Sequence, residues 1–509
     1  MNCTPDKATF LEKAKRGNLV PVWRELLADQ ETPVAAYEKL RRFLAPRGGP
    51  AQTFLFESVE GGEHIARYSF LGGGPRAVFT SRGALCEIAH ADGRVERTEA
   101  ADPLEVLRAH MAQYTPVPDP ALPRFYGGAV GYVGYDAIAR FEPRVRLAKN
   151  GVLDWPDILM GITDTLLIFD HTRHTLKVVA NVHISGDAAA AYDAAVRQLD
   201  ALCAALAAPL PHQLVDVQAR PEPPAARSNL TRGQFGDAVL KAKEYIRAGD
   251  IIQVVLSQRF EVDYSGDPLD VYRAIRCVNP SPYLYCLEFG GRAVVGSSPE
   301  IHVRNEGGHV EVRPIAGTRP RSADPAQDAA LADELLADPK ERAEHIMLVD
   351  LGRNDLGRVC TYGTVRVPEL MVIERYSHVM HIVSDVVGEL APGSDAYDLM
   401  RATFPAGTVS GAPKIRAMEI IGELEADQRG PYAGAIGYFG FSGNLDSCIT
   451  IRTALLDGRK AYVQAGAGIV ADSDPDKEYD ETCNKARGML VALALSHRFA
   501  DARAKGGAA

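Results

Sequence analysis

The sequence lacks the features that mark membrane, secreted and zinc-binding proteins. No uninterrupted apolar run approaches the roughly 18 residues of a membrane-spanning helix. The first residues, MNCTPDKATFLEKAKRG, lack the apolar stretch of a secretory signal. The eight cysteines include no CxxC pair, which argues against a disulfide framework or a zinc site. We therefore expect a soluble, cytoplasmic protein whose thiols are reduced.

Positive charge is also scarce. The 509 residues include 56 Lys and Arg against 66 Asp and Glu, which gives a net charge of −10. A general nucleic-acid binder needs surplus cations to neutralise phosphates, so we do not expect one. What the chain does have is 46% hydrophobic and 24% charged residues. This composition is typical of a globular protein with a sizeable core, and it favours an enzyme.

The N-terminal half reads as a helical start followed by short strands. Residues 1–45 look helical, with Thr32 and Pro33 as a helix start. Between Thr53 and about residue 180 the segments are short and rich in β-forming residues, and Asp92-Gly93 signals a hairpin. Residues 187–207 then predict an alanine-rich helix.

A proline-rich polar segment divides the two halves. Beyond it Thr231 caps a predicted helix, and runs of strands alternate with groups of helices. This order predicts an α+β fold with antiparallel sheet, not a doubly wound parallel one. The predicted organisation is an N-terminal domain 1–208, a linker 209–229, a second domain 230–498 and a fraying tail 499–509.

Two pairs of glutamates recur at the same spacing. Glu341 and Glu344 are three residues apart on one predicted helix, and Glu478 and Glu481 are three apart on another. Each pair therefore shares a helix face. If the two faces meet, four carboxylates converge, and a divalent cation such as Mg²⁺ would relieve their repulsion. The alternative is solvated surface charge, because so short a motif has low specificity.

Small residues before a helix form a second candidate site. Gly407, Thr408, Ser410 and Gly411 precede Pro413, which opens a predicted helix. Such a turn offers backbone N–H groups and a positive helix dipole to an anion. An ordinary cap and loop is the alternative interpretation.

Three further features each leave two interpretations open. Gly466-Ala467-Gly468 in VQAGAGIVAD matches a loose GxGxxG/A pattern, but the surrounding elements are not βαβ, so we reject dinucleotide binding. These glycines could admit a ligand carboxylate or simply form a bulge. His381 in an apparent strand is either a core residue or a proton carrier. Arg452 in an apolar run needs a partner, either an anionic ligand or an internal salt bridge.

Longer strings carry a family resemblance. PIAGTRPR, AEHIMLVDLGRNDLGRV, YSHVMHIVSDVVGEL, GTVSGAPKIRAMEII, GAIGYFG, CITIRTAL and VQAGAGIVADSDPDKEYDETCNKA follow in order between about residues 230 and 490. This half resembles the chorismate-utilising enzymes. FLFES and RYSFLG in the N-terminal half are similar to the partner domain of the anthranilate-forming members.

The resemblance implies a fold and a cofactor. The family has two opposed antiparallel β-sheets flanked by helices, and here a β-rich N-terminal regulatory domain would precede them. Its active site lies in a cleft where Mg²⁺ binds a substrate carboxylate. By motif, Glu344 and Glu481 match the metal-binding glutamates. Glu341 and Glu478 match the supporting pair that holds metal-bound waters.

Catalytic and substrate-binding residues are implied in the same way. Glu300 in GSSPE matches the proposed acid that protonates the departing 4-hydroxyl group. His381 matches a histidine implicated in pyruvate elimination, and Thr408 matches a pocket threonine. The positions that match those gripping the carboxylates of chorismate are Gly317, Thr318, Tyr432, Arg452, Gly466, Ala467 and Gly468.

Two positions favour one branch of the family. Aminodeoxychorismate synthases typically have a nucleophilic lysine where this chain has Ala316. Members of the family that add water have a lysine, which acts as a base, at the position where this chain has Gln253. Both residues favour ammonia as the nucleophile and hence anthranilate and pyruvate as products, the first committed step of tryptophan biosynthesis. Aminodeoxychorismate synthesis is the runner-up. A catalytically silent sensing subunit is the other alternative, against which the four glutamates argue.

Partners and regulation are implied as well. No cysteine has the Gly-x-Cys-x-Gly setting of a glutaminase nucleophile, so a separate glutamine amidotransferase subunit and a hetero-oligomer are expected. The strings LFES and NPSPYL resemble a tryptophan pocket, which implies feedback inhibition; Leu284 replaces a common methionine there. The predicted tryptophan-binding residues are Glu57, Ser58, Pro282, Tyr283, Leu284 and Cys448.

Overall fold

Two large antiparallel sheets form the protein. The computed structural model describes residues 2–45, 52–58, 67–210, 215–218, 220–376 and 379–506, so the predicted linker is described except for 211–214 and 219. Over these residues each sheet has twelve strands. Together with the flanking helices, this confirms the predicted α+β fold.

The first sheet contains long strands from both halves of the chain, all paired antiparallel. Its strand order is β1 (Leu19–Leu27), β10 (Thr175–His183), β9 (Thr165–Asp170), β3 (Tyr68–Gly73), β2 (Thr53–Glu57), β13 (Tyr283–Phe289), β14 (Arg292–Ser298), β23 (Thr453–Leu456), β24 (Lys460–Ile469), β12 (Gln253–Asp263) and β11 (Arg227–Ser228), with β20 (Gly411–Ala412) beside β12.

The second sheet also mixes the two halves. Its order is β17 (Ile315–Pro320), β19 (Val379–Glu389), β16 (His309–Val312), β15 (Ile301–Glu306), β22 (Leu445–Ile449), β21 (Ala435–Gly440), β7 (Gly128–Val133), β8 (Ile158–Thr163), β4 (Ala77–Arg82), β5 (Leu85–His90) and β6 (Val95–Glu99), with β18 (Arg366–Arg375) beside β19.

Helices flank the sheets, and their starts follow the cap signals of the sequence. Thr32 accepts a hydrogen bond from the backbone of Ala35, and Thr231 forms a capping box with Gln234. The helices are α1 (Lys7–Lys13), α2 (Pro33–Leu44), α3 (Pro103–Met111), α4 (Ile138–Phe141), α5 (Ala188–Leu206), α6 (Arg232–Ala248), α7 (Pro268–Val278), α8 (Pro325–Ala337), α9 (Pro339–Gly357), α10 (Ala396–Thr403), α11 (Lys414–Leu424) and α12 (Pro475–Gly506).

The sheets face each other across a buried aromatic and aliphatic cluster. Phe70 and Leu287 of the first sheet pack in this cluster with Ile436 and Tyr438 of the second. The rings of Phe70 and Tyr438 meet edge to face, with centroids 6.5 Å apart. Burial of this apolar surface between the sheets holds the two layers together.

The predicted boundary at 209–229 does not separate two sheet systems. Glu57 of β2 lies opposite Leu284 of β13, and Val133 of β7 lies opposite Ala435 of β21. Strands of the predicted domains 1–208 and 230–498 are thus neighbours in both sheets. Composition shows where a chain becomes irregular, whereas strand pairing depends on contacts between residues far apart in sequence.

Two local predictions were wrong. Leu19–Leu27, predicted to be helical, form β1 because the whole segment pairs with β10 and its first six residues are buried. The predicted tail does not fray at 499, since α12 continues to Gly506 and Phe499 is buried in a core cluster.

The Asp92-Gly93 hairpin is confirmed between β5 and β6. In the described part of the chain, no helix is long and apolar enough to cross a membrane.

Candidate active site

One cavity, called here the main cavity, is lined by both sheets and by α12. The space open to the centre of a water molecule is about 220 Å³. Its walls come from strands β12, β17, β19 and β24, from the loop after β14, and from a short 3₁₀ turn, Gly407–Val409. The predicted site residues that line it are Glu300, Gly317, Thr318, His381, Thr408, Tyr432, Arg452 and Gly466.

Glu300 is a buried carboxyl group in the wall of the main cavity. It is 6% exposed, and its Oε1 accepts a hydrogen bond from Thr408 Oγ1 at 2.6 Å. Burial raises the pKa of Glu300 to about 7, although hydrogen bonds from Thr408 and from the backbone of Ile315 lower it. A carboxyl group with a pKa near 7 keeps its proton in about half of the molecules at neutral pH, so it can act as a general acid.

His381 lies on β19, next to the irregular part of β17 that contains Gly317 and Thr318. Its Nδ1 is 2.8 Å from the carbonyl oxygen of Gly317 and 3.1 Å from Thr318 Oγ1. Because a carbonyl oxygen can only accept, Nδ1 carries the proton and Nε2 keeps its lone pair. Burial lowers the pKa of His381, so the ring is neutral at physiological pH and can accept a proton.

Two cations lie at the main cavity. Arg452 has φ of +49°, a conformation that non-glycine residues seldom adopt. Within the described residues its side chain forms no hydrogen bond or ion pair, and burial lowers its pKa while Glu300 raises it. Lys485 of α12 donates to the carbonyl oxygen of Gly466 at 3.0 Å and pairs with Glu481 at 2.7 Å. Arg452, which has no such partner among the described residues, favours an anionic ligand, whereas Lys485 is already paired with Glu481.

Sequence reasoning missed Lys485. The available signal was its position four residues after Glu481, on the same helix face.

Gly466 and Tyr432 are closely packed, because a Cβ at Gly466 would lie 2.8 Å from Tyr432 Oη. A side chain at 466 would therefore displace the hydroxyl group from the cavity wall.

The four predicted metal ligands lie at the starts of two helices. Glu341 and Glu344 belong to α9, and Glu478 and Glu481 to α12. Burial, and next the charge of Glu344, raises the pKa of Glu341. Burial also raises the pKa of Glu478, where a hydrogen bond with Ser473 opposes the rise and the charge of Glu481 adds to it. Among the described residues, no group of three or more His, Cys, Asp and Glu side chains is close enough to hold a metal. The donors themselves, carboxylate oxygens, fit Mg²⁺.

The remaining predicted residues lie beside this region and do not line the main cavity. Gln253 donates from Nε2 to Glu344 Oε1 at 3.1 Å, so it contacts a predicted metal ligand. A Cβ at Gly468 would lie 2.5 Å from Gln253 Nε2, which shows how closely the two approach. Ala467 alternates to the opposite face of β24 and is fully buried in the core.

A second cavity contains all the residues predicted for tryptophan. Glu57, Ser58, Pro282, Tyr283, Leu284 and Cys448 line it together. The space open to a water centre is smaller, about 60 Å³. Adjacent strands bring the two motifs together, since Glu57 of β2 lies opposite Leu284 of β13.

Charged residues of the second cavity have protein partners. Glu57 is 5% exposed and accepts hydrogen bonds from Tyr272 Oη and from Arg276, the latter at 3.3 Å. Asp446 accepts from Arg304 at 3.3 Å and pairs with Arg124 at 3.1 Å. No sequence pattern indicated Arg124, Arg304 or Asp446, because their association depends on pairing between distant strands.

Comparisons with known proteins identify the family of this chain. A family model described as chorismate binding enzyme matches residues 52–491. Anthranilate synthase component 1 of Acetivibrio thermocellus is 47% identical, and the match covers 94% of this chain and 96% of that protein. Anthranilate synthase component 1 of Synechocystis sp. is 48% identical, and the match covers 96% of this chain and 99% of that protein. The crystal structure of anthranilate synthase component I from Streptococcus pneumoniae TIGR4 matches with a TM-score of 0.75 at 39% identity, covering 85% of this chain and 94% of that chain. The chain therefore belongs to the chorismate binding enzyme family, and the relatives named above are anthranilate synthase component 1 proteins.

Proposed function

We propose that this protein converts chorismate and ammonia to anthranilate, pyruvate and water, the first committed step of tryptophan biosynthesis. The observation that carries the proposal is one cavity holding the Glu300–Thr408 pair and the cations Arg452 and Lys485. The names of the relatives support the same reaction. Chorismate is a dianion, so Arg452 suits one of its carboxylates, and Lys485 adds positive charge to the same wall.

The first chemical step adds nitrogen and removes the 4-hydroxyl group. Ammonia forms the new bond at ring carbon C2 as the bond to the 4-oxygen breaks. Hydroxide is a poor leaving group, so Glu300 gives its proton to that oxygen, and water leaves. A proton lost from the new ammonium substituent balances the proton that Glu300 gave.

The second step removes the side chain as pyruvate. Loss of the C2 proton and cleavage of the C3–oxygen bond make the ring aromatic and release enolpyruvate, which takes up a proton to become pyruvate. His381 is the base that the geometry favours for the C2 proton, because Nδ1 is held by Gly317 and Nε2 has a free lone pair.

The nature of residue 316 favours ammonia over covalent attack. Ala316 lines the main cavity and has no nucleophilic group. The alternative function is aminodeoxychorismate synthesis, which Ala316 disfavours. The two differ in products, since only anthranilate formation releases pyruvate.

The deciding experiment incubates the purified chain with chorismate, Mg²⁺ and ammonium at alkaline pH, where free ammonia is available. We expect equal amounts of anthranilate, measured by fluorescence and mass, and pyruvate, measured with a coupled dehydrogenase. An aminated product formed without pyruvate would favour the alternative. Absence of any aminated product would overturn the proposal.

We further propose that Glu344 and Glu481 hold Mg²⁺, with Glu341 and Glu478 supporting its waters. When bound, Mg²⁺ would neutralise a carboxylate of chorismate. Gln253 helps to orient Glu344 through its hydrogen bond. Glu481→Ala should lose Mg²⁺ binding in titration calorimetry and anthranilate formation in the assay, with thermal unfolding near that of the parent. Unchanged Mg²⁺ binding would contradict this assignment.

Ammonia is proposed to come from glutamine through a separate glutamine amidotransferase subunit, which makes the working enzyme a hetero-oligomer. The designation "component 1" of the relatives supports a second component. The isolated chain should use ammonium and should gain glutamine-dependent activity only when a glutaminase subunit is added. Glutamine use by the chain alone would contradict this. A cytoplasmic location stays a prediction.

Tryptophan is proposed to bind in the second cavity as a feedback inhibitor. Support comes from the six predicted residues that line it and from their separation from the residues of the main cavity. Inhibition then requires that tryptophan bind more tightly to a less active arrangement. By linkage, chorismate should weaken tryptophan binding by the same factor.

A further inference from the structure

Arg452 lines the main cavity, and its backbone is held from both sides. Its φ of +49° belongs to a region that residues with a Cβ seldom adopt. A residue keeps such a conformation only where its surroundings fix it. Here the carbonyl oxygens of Ile451 and of Arg452, which belong to the two peptide groups that flank the Arg452 Cα, both accept hydrogen bonds. The position of Arg452 therefore depends on the residues that donate them.

The donor on one side is Ser297 of β14, which is fully buried. Its backbone N–H donates to the carbonyl oxygen of Arg452 at 3.1 Å, and its hydroxyl group donates to the carbonyl oxygen of Asn279. Ser297 also lies opposite Leu284 of β13, a residue of the second cavity. Asn279 and Arg452 line one open cavity beside α12. One buried serine thus joins the Arg452 backbone to the 279–285 segment, whose last residues line the second cavity.

The donor on the other side is Thr453 of β23. Its Oγ1 lies 2.8 Å from the carbonyl oxygen of Ile451 and 2.6 Å from Tyr285 Oη. A carbonyl oxygen only accepts, so the single proton of Thr453 points to Ile451, and Tyr285 must donate to Thr453. Tyr285 lines the second cavity. Its ring packs against Gly296, where a Cβ would lie 2.5 Å from the ring. This second connection therefore begins in the wall of the second cavity and ends beside Arg452.

We propose that Arg452 couples the two cavities, and that Ser297 and Thr453 carry the coupling. This inference rests on the proposed function and names how the same site is regulated. In the arrangement of this structure both hydrogen bonds hold Arg452 at positive φ. Tryptophan in the second cavity displaces the 279–285 segment and loosens these bonds. Arg452 then relaxes toward negative φ, and its guanidinium group leaves the carboxylate of chorismate. Each ligand thereby weakens the binding of the other.

The test measures the coupling factor, defined as the dissociation constant of tryptophan with saturating chorismate divided by that without chorismate. Titration calorimetry on the purified full chain, with Mg²⁺ and without a nitrogen donor, gives both constants. We expect a factor of about 5 to 150 for the parent, the usual range for coupled sites. Ser297→Ala and Thr453→Val each remove one connection. Each should lower the factor about threefold to tenfold, the effect of one hydrogen bond.

The same variants should leave the separate binding events nearly unchanged. Ser297 and Thr453 line neither the main cavity nor the second cavity. One connection to Arg452 remains in each variant, so KM for chorismate without tryptophan should stay within about twofold to threefold of the parent value. Thr453→Ser keeps the hydroxyl group and should keep the parent coupling factor. A purely structural role would lower thermal stability without changing this factor.

Ser496→Ala is the matched control. Ser496 of α12 is buried and lines neither cavity. Its hydroxyl group donates to the carbonyl oxygen of Leu493 at 2.6 Å and lies 2.8 Å from Tyr264 Oη. This variant also loses buried hydrogen bonds, so it should lose thermal stability and keep the parent coupling factor.

The outcomes separate the inference from the proposed function. An unchanged factor in Ser297→Ala and Thr453→Val would overturn the inference, and if one variant fails to fold, the other decides. Weaker tryptophan binding with an unchanged factor would also overturn it, since these residues would then only shape the second cavity. An equal fall in Ser496→Ala would do the same, because general loosening would explain it. A factor of one in the parent would instead overturn the proposed feedback inhibition, and the inference with it.

Discussion

The main cavity and the second cavity differ in how their polar groups are paired. In the main cavity Arg452 has no side-chain hydrogen bond or ion pair among the described residues, and burial raises the pKa of Glu300. In the second cavity Asp446 is paired with Arg304 and Glu57 with Arg276.

This difference matches two kinds of binding. Groups left without protein partners are ready to interact with a charged substrate and to exchange protons with it, which catalysis requires. Charges that are already compensated cost little to keep buried, and they recognise a ligand without changing its protonation. This contrast supports the proposals that the main cavity holds the dianion chorismate and that the second cavity holds the zwitterion tryptophan.

The largest effect should follow from neutralising the acid of the main cavity. Glu300→Gln keeps the size and the hydrogen bond with Thr408 but cannot give up a proton. We expect turnover to fall about 10²- to 10⁴-fold at saturating chorismate and ammonium, measured as anthranilate formation. Glu288→Gln is the control, because burial also raises the pKa of Glu288, which lines neither cavity. Near-parent turnover of Glu300→Gln would remove the acid from the mechanism.

Removing the side chain of Arg452 should weaken chorismate binding without cost to the fold. Arg452→Gly loses the cation, and glycine adopts φ near +49° more readily than arginine does. We expect KM for chorismate to rise about 10- to 150-fold, the worth of a charged hydrogen bond, and thermal stability not to fall. A large loss of stability with unchanged KM would mean that Arg452 is structural.

A change in the second cavity should affect only regulation. Ser58→Ala removes a hydroxyl group from the cavity wall, which would leave a polar group of tryptophan unpaired. The expected loss is roughly 1–3 kcal/mol, or about five- to 150-fold in tryptophan affinity. Inhibition curves and turnover without tryptophan measure the two effects separately. Unchanged inhibition, or an equal loss of activity and inhibition, would contradict the comparison.

A further effect concerns the stability of the fold against pH. The pKa of Glu300 is raised from 4.5 to about 7 in the folded protein, so the folded state holds a proton that the unfolded state releases between these values. The stabilisation is present below pH 4.5 and is lost as pH rises toward 7, by up to about 3 kcal/mol. Glu300→Gln has no such loss, so its unfolding free energy relative to the parent should increase over this range. A constant difference from pH 4.5 to 8 would contradict the raised pKa.

Local sequence patterns predicted the local structure well where short-range contacts decide it. Thr32, Thr231 and the Asp92-Gly93 pair marked helix starts and a hairpin, because caps and tight turns use neighbouring backbone groups. The prediction failed at Leu19–Leu27, where pairing with β10 decides the conformation, and at 499–506, where burial of Phe499 extends the helix.

The predicted site residues were found through family motifs, and the structure showed which of them share a wall. Glu300, His381 and Arg452 meet at the main cavity, whereas Gln253 contacts Glu344 beside it. Lys485 escaped notice because a lysine on a helix is ordinary in sequence. Its significance comes from its place in the wall of the main cavity, beside Gly466 of β24.

By itself the sequence determined the α+β class, the spacing of the glutamate pairs and the motifs of both cavities, since these depend on residue type and on short-range periodicity. Only the tertiary structure decided that both halves share both sheets, that burial raises the pKa of Glu300 to about 7, and that Thr408 donates a hydrogen bond to Glu300. The physical reason is that strand pairing, desolvation and hydrogen-bond order are set by which distant residues come together.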